Sequence, residues 1–221
     1  MHHVSEPPIL YFGTPVVLVS TLNADHTYNL APMSSIFWLG WRCVIGLSSF
    51  SKTTENIMRE KQCVLNLPSV NQVAAVNLLA LTTGSNPVPE GKLQKGYRYE
   101  PRKFEISGLT SVDSLVVNAP RVQECPVQLE AELKKINPLA DDNPRQKGRL
   151  ITFELRIVKV HLDDGILMKG YEHRVDPDLW RPLIMSFQQF YGLGKKVEKS
   201  TLGTVPEHTY QTPDLEYART L

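Results

Sequence analysis

The regular pattern of the chain begins at Pro15-Val16-Val17-Leu18-Val19-Ser20-Thr21, a β-branched run followed by the turn residues Asn23-Ala24-Asp25-His26. Such a run, bounded in this way, predicts a strand and a hairpin. Arg42-Cys43-Val44-Ile45-Gly46-Leu47-Ser48 and Gln62-Cys63-Val64-Leu65-Asn66-Leu67 predict two more strands, each stopped by polar residues or by Pro68. From Val127 to Leu133 the odd positions are apolar and the even ones polar, which predicts one buried and one wet face. Ile151, Phe153, Leu155 and Ile157 repeat the alternation. Val158, Val160 and Leu162 then switch parity, predicting a bulge or a change of facing.

Helical character is expected in three places. Ser51-Lys52-Thr53-Thr54-Glu55-Asn56-Ile57-Met58 predicts a short helix whose hydroxyls satisfy free N–H groups of its first turn. Val73–Leu79 contains neither Gly nor Pro and suits a second helix. Leu179, Trp180, Leu183, Ile184, Phe187, Phe190 and Tyr191 recur at three- and four-residue spacing, predicting an amphipathic helix with Pro182 in its first turn. The Gly-, Pro-, Tyr-, Arg- and Lys-bearing stretch 82–103 predicts a surface excursion, and 195–221 an extended polar tail. Many short strands with helices as insertions predict a mainly β fold, a small and mostly antiparallel barrel. It is expected to occupy the whole chain as one domain, with a barrel core over 11–168, a helical extension over 169–194 and a tail beyond.

Composition narrows the partners. With 42% hydrophobic and 21% charged residues in 221, the chain can bury a core. Its 24 Lys+Arg against 23 Asp+Glu give a formal charge of +1, and without a basic stripe nucleic acid is not expected as a partner. No apolar run approaches the ~18 residues of a membrane helix, and the first residues lack a secretory signal's apolar stretch. No membrane partner and a cytoplasmic location are therefore expected. Cys43, Cys63 and Cys125 come without a CxxC or HxxxH cluster, so no metal site is expected, and the thiols of Cys43 and Cys63, each in an apolar strand-like run, read as small buried hydrophobes.

Two segments carry candidate chemistry. Ser48-Ser49-Phe50-Ser51-Lys52-Thr53-Thr54 places five hydroxyls and one ammonium where a strand runs into a helix, a setting that suits a phosphate. The same residues also suit a turn that only caps a helix, with Lys52 solvated. They do not form the GxxxxGK[ST] pattern of a P-loop. Asn29-Leu30-Ala31-Pro32-Met33-Ser34-Ser35 joins small residues to hydroxyls and a thioether, so that a flat heterocycle can lie against its backbone. A loop broken by proline between strands is the alternative.

Together with Pro15–Thr21, Cys63-Val64-Leu65-Asn66-Leu67-Pro68 and Asn118-Ala119-Pro120-Arg121-Val122-Gln123-Glu124-Cys125-Pro126-Val127, these segments resemble the flavin reductase-like family, whose fold is the FMN-binding split barrel. The resemblance spans roughly residues 11–168. It implies a homodimer with one FMN per subunit near the interface, FAD being a lesser candidate. Ser49, Ser51, Lys52 and Thr53 would hold the phosphate. Ala31, Pro32, Met33, Ser34 and Ser35 would line the ring system, and Asn66 would reach the ribityl chain or a ring edge. Short members carry a Gly-Asp/Ser-His stretch before the last long strand, where the His helps to place a nicotinamide. Here Lys147-Gly148-Arg149-Leu150-Ile151 lacks that His, and no catalytic side chain is assigned. The segment Met168-Lys169-Gly170-Tyr171-Glu172-His173-Arg174 and the aromatic positions beyond it resemble the longer, flavoredoxin-like members. Lys169, Tyr171 and His173 are candidates to approach the flavin or a substrate.

The resemblance implies an oxidoreductase that takes hydride from NAD(P)H and passes electrons to a small-molecule or protein acceptor. Its alternative is a non-enzymatic FMN carrier reduced by a protein partner. A flavin supplies the electron chemistry itself, so either role needs binding and positioning more than an acid–base pair.

Overall fold

A computed structural model describes residues 1–221. Its first half contains β1 (Phe12–Pro15), β2 (Val17–Leu22), β3 (Tyr28–Met33), β4 (Ile36–Leu39), β5 (Arg42–Ser48), α1 (Lys52–Glu60), β6 (Gln62–Leu67) and α2 (Val73–Leu79). An excursion follows with β7 (Thr82–Thr83), α3 (Glu90–Leu93), β8 (Arg98–Tyr99) and α4 (Lys103–Ser107). The remainder holds β9 (Ser111–Val112), β10 (Arg121–Val122), the long β11 (Val127–Leu139) and β12 (Leu150–Leu162), β13 (Leu183–Ser186), β14 (Gln189–Gly192) and α5 (Pro213–Arg219).

Seven strands form one antiparallel sheet in the order β3-β2-β6-β11-β12-β5-β4. β3 and β4 stand at its opposite edges, yet only Ser34 and Ser35 separate them in the chain. Two residues span about 10 Å, so the sheet must roll until its edges meet. The barrel expected from the sequence is therefore present.

β2 shows why its apolar run is continuous. Val17 and Val19 point into the barrel beside Ile45, Leu47, Phe153 and Leu155. Val16 and Leu18 pack outward in a second core with Leu30, Val76 and Leu79, the last two from α2. A strand covered on both faces has no wet side to pattern.

The hairpin between β2 and β3 turns through His26, at φ 63°. Asp25 accepts hydrogen bonds from the Thr27 N–H (3.1 Å) and hydroxyl (2.6 Å) there. The parity switch in β12 is a bulge: Lys159 faces Glu130 and Ile157 faces Ala131, leaving Val158 unpaired. Two even positions of β11 expected to be wet are not. Gln128 and Glu130 are buried because the connection between β9 and β10 crosses their face. Gln128 donates to the Val122 and Cys125 carbonyls, and the Glu130 carboxylate accepts from the N–H groups of Leu115, Val116 and Val117. His161, which has no evident partner in the sequence, lies 2.7 Å from the same carboxylate. Burial would raise the Glu130 pKa, but His161 and the three N–H groups favour the anion and bring it down to about 2. All three cysteines are buried and unpaired.

The C-terminal part differs from expectation. The helical extension expected over 169–194 is absent; β13 and β14 form a hairpin, and β1 pairs with β13. Its turn residues, Phe187 and Gln188, have φ 44° and 62°. Neither is a usual residue at positive φ, so the turn carries no sequence mark. Two short strands across such a turn mimic helical spacing in a 13-residue window. The segment 195–221 is not simply an extended tail. It ends in α5, which packs on β12, with Asp214 on Arg42 (2.8 and 3.0 Å) and Tyr217 under the Arg156 guanidinium, 3.7 Å from the ring centroid.

Candidate functional site

The end of β3, the connection from β5 into α1 and the 82–103 excursion enclose a cavity of about 840 Å³. Ala31, Pro32, Met33 and Ser35 form one wall, and Ser51, Lys52 and Thr53 form another. The two segments singled out by their side-chain types thus face one space.

Ser51 is the N-cap of α1, and its hydroxyl accepts the Thr54 N–H at 3.0 Å. The N–H groups of Lys52 and Thr53 have no intrahelical acceptor, and the helix end carries about half a positive charge. The Thr53 hydroxyl accepts from the Asn29 amide (3.2 Å), which locks the helix start to β3. Lys52 lines the cavity with its ammonium on Glu55 at 2.8 Å. A partly exposed pair of this kind is worth only about 0.5 kcal/mol, so an anion can draw the ammonium away at little cost.

Other expected site residues lie elsewhere. Ser34 lines a smaller neighbouring cavity of about 210 Å³, beside Met33 and Ser35. Ser49 does not line the main cavity; its N–H extends the β5–β12 ladder to Arg149, and its hydroxyl oxygen is buried without a partner. Asn66 is fully buried. It donates to the Leu18 carbonyl and the Ser20 hydroxyl and accepts from the Val122 N–H, so its amide is committed to holding β6, β2 and β10 together. Lys169, Tyr171 and His173 sit on an exposed turn outside the cavity, closed by the Leu167–Val175 bridge.

Sequence reasoning missed the roof. Residues 82–103 do run over the domain, but Thr82, Thr83, Lys92, Lys95, Tyr97 and Lys103 line the cavity from above. Lys103 is only 3% exposed, and its ammonium has no hydrogen-bond or ion-pair partner. Desolvation, helped by nearby Lys92 and opposed by Glu100, brings its pKa down to about 7. Burial lowers that of Lys92 as well. One signal was available, because a glycine in a strand-like stretch marks a close backbone approach. A Cβ on Gly84 would stand 2.6 Å from Asn29 Oδ1 and 3.0 Å from Lys52 Cγ, so only a bare backbone brings the roof onto these two residues.

Asn29 Oδ1 is itself buried without a donor. A buried orphan acceptor, an unpaired ammonium at the end of an almost wholly buried lysine and a free helix N-terminus around one space fit an elongated ligand with an anionic end and N–H or O–H donors. FMN has these features: a phosphate, ribityl hydroxyls and a flat ring with an N–H edge. Lys52, Thr53 and the α1 N–H groups suit the phosphate, Asn29 and Lys103 suit polar edges, and Ala31–Met33 and Ser35 suit the ring face.

The family model for the flavin reductase like domain matches residues 9–194. The chain belongs to the flavin reductase-like family. It is similar to the uncharacterized protein YdfE of Bacillus subtilis (strain 168), at 35% identity over 195 residues, covering 88% of this chain and 91% of that one. Among solved structures it resembles flavoredoxin of Desulfovibrio vulgaris (Miyazaki F), with a TM-score of 0.73 at 21% identity, covering 91% and 98% of the two chains. It also resembles nitrilotriacetate monooxygenase component B of Bacillus cereus, with a TM-score of 0.68 at 19% identity, covering 85% and 88%. At these identities the likeness establishes the flavin reductase-like fold. The family segment ends near β14, so α5 lies outside it.

Proposed function

We propose that the protein is an FMN-binding oxidoreductase that accepts hydride from NAD(P)H and passes the electrons to a small-molecule or protein acceptor. The observation that carries this reading is the convergence of the α1 N-terminus with the small-residue turn after β3 in one cavity. Bound there, the flavin supplies two-electron chemistry. The chain's own residues bind, orient and exclude water. Lys52, Thr53 and the adjoining N–H groups fix one end by charge and hydrogen bonds, and Ala31–Met33 set the plane of the ring. Lys103 places a positive charge in a poorly solvated wall, where it favours anionic groups more than it would in water. Met33 and Leu47 keep the inner wall apolar.

Exposed Phe37 and Leu39 on the edge strand β4, and Phe50, Leu139 and Leu150 at the cavity rim, support a homodimer that closes the site from outside. A cytoplasmic location is part of the same proposal, and three unpaired thiols fit a reducing compartment. No helix is long and apolar enough to cross a membrane. The test is NADH and NADPH oxidation by the FMN-loaded protein. Turnover with either nucleotide supports the proposal. Retention of FMN without turnover, together with rapid reduction by a protein partner, would replace it with an electron carrier.

A further inference from the structure

Charge does not balance around this cavity. Lys52, Lys92, Lys95, Lys103 and Arg149 line it, whereas Glu90 is the one carboxylate that does so. Of these cations only Lys52 makes an ion pair. With Glu90 on the wall and Glu55 paired to Lys52, the at most two negative charges of riboflavin phosphate leave about one positive charge without a counter-charge. Uncompensated cations are costly where water is partly excluded, and burial already disfavours the charged forms of Lys92 and Lys103.

The surplus is on a built element. The excursion is clamped at its base by the parallel pairs Thr82–Arg98 and Thr83–Tyr99. The Tyr97 N–H donates to the Lys92 carbonyl at 3.1 Å, closing the turn after α3. Lys92 Nζ donates to the Thr83 hydroxyl at 3.0 Å and stands 5.6 Å from the Tyr97 ring centroid, so the ammonium is held at the cavity wall. Lys95 follows on the same turn at the rim.

We propose that Lys92 and Lys95 form a second anion subsite, which holds the phosphate or pyrophosphate of a nucleotide co-substrate beside the flavin. This rests on the flavin reading given above and adds to it the residues that select the second ligand. An ammonium is a point charge with three donors, suited to phosphate oxygens that reach it at varied angles.

The test uses the FMN-loaded protein, titrated by calorimetry with inorganic pyrophosphate, NAD⁺ and NADP⁺. The variant is Lys92→Gln with Lys95→Gln. The wild type should bind pyrophosphate with an affinity that falls as salt rises. The double variant should lose about tenfold per lysine while FMN affinity stays within about threefold. A larger loss for NADP⁺ than for NAD⁺ assigns the subsite to the ribose phosphate, and an equal loss assigns it to the pyrophosphate; both support the proposal. Unchanged pyrophosphate affinity, or an equal loss of FMN affinity, overturns it and leaves the flavin reading intact. A wild-type chain that takes up no FMN overturns both.

Discussion

Replacing Lys103 by Met should move two observables in opposite directions. Met keeps an unbranched, flexible stem of similar length and removes the ammonium, so the packing of α4 under β3 is retained. In the ligand-free protein the ammonium is desolvated, with its pKa brought from 10.5 to about 7. For a base whose folded pKa is depressed, the penalty on folding is full below the folded pKa. It fades as pH rises toward the unfolded value, because the unfolded chain then binds the extra proton. The penalty is up to about 4 kcal/mol at pH ~7 and about 2 kcal/mol at pH ~9. Urea unfolding of the two apo proteins should therefore show Lys103→Met the more stable, by a margin that shrinks with rising pH. FMN affinity should fall at the same time by about ten- to a hundredfold, the worth of a charge-assisted hydrogen bond. A variant less stable than wild type, a margin that does not change with pH, or an unchanged FMN affinity would each refute the reasoning.

Three further outcomes follow from other parts of the molecule. Ser51→Ala combined with Lys52→Ala should weaken FMN retention about tenfold or more while the barrel stays folded, since the lost cap costs only about 1 kcal/mol; equal retention by dialysis would remove the phosphate assignment. Glu130→Gln should lower the thermal midpoint and remove an acid-sensitive part of stability. With the folded pKa near 2, that contribution, about 3 kcal/mol, is present above the unfolded pKa of 4.5 and lost as pH falls through about 2, which unfolding curves between pH ~5 and ~2 would show. The thiols should resist a disulfide reagent in the native state, because burial pushes Cys43 up to about 12 and raises Cys63 and Cys125 further; rapid native labelling would contradict their placement.

The sequence spoke clearly where one interaction dominates. β-branched runs marked β2, β5 and β6, the hydroxyl cap marked α1, and the parity switch marked the bulge at Val158. It misled where two structures share one spacing, as in the hairpin of β13 and β14, and where a polar face is covered by chain from elsewhere, as at Gln128 and Glu130. That Ala31–Met33, Ser35 and Ser51–Thr53 would face one cavity was legible because their side-chain types are local. Asn66 misled because its amide type suits a ligand as well as it suits the three protein groups it binds. Lys103 was illegible for the opposite reason. A lysine among polar residues reads as solvated, and only the tertiary fold shows that Gly84 lets the roof descend and bury it.

The central claim is that the α1 N-terminus, with Lys52, grips the phosphate of a flavin whose ring lies along the turn after β3. Titrating the apo protein with FMN and, separately, with riboflavin tests it most directly, read by quenching of flavin fluorescence. The account predicts saturation at one FMN per chain, with riboflavin bound at least about a hundredfold more weakly, since several charge-assisted hydrogen bonds are lost with the phosphate. No saturable binding, or equal affinity for the two flavins, would contradict it.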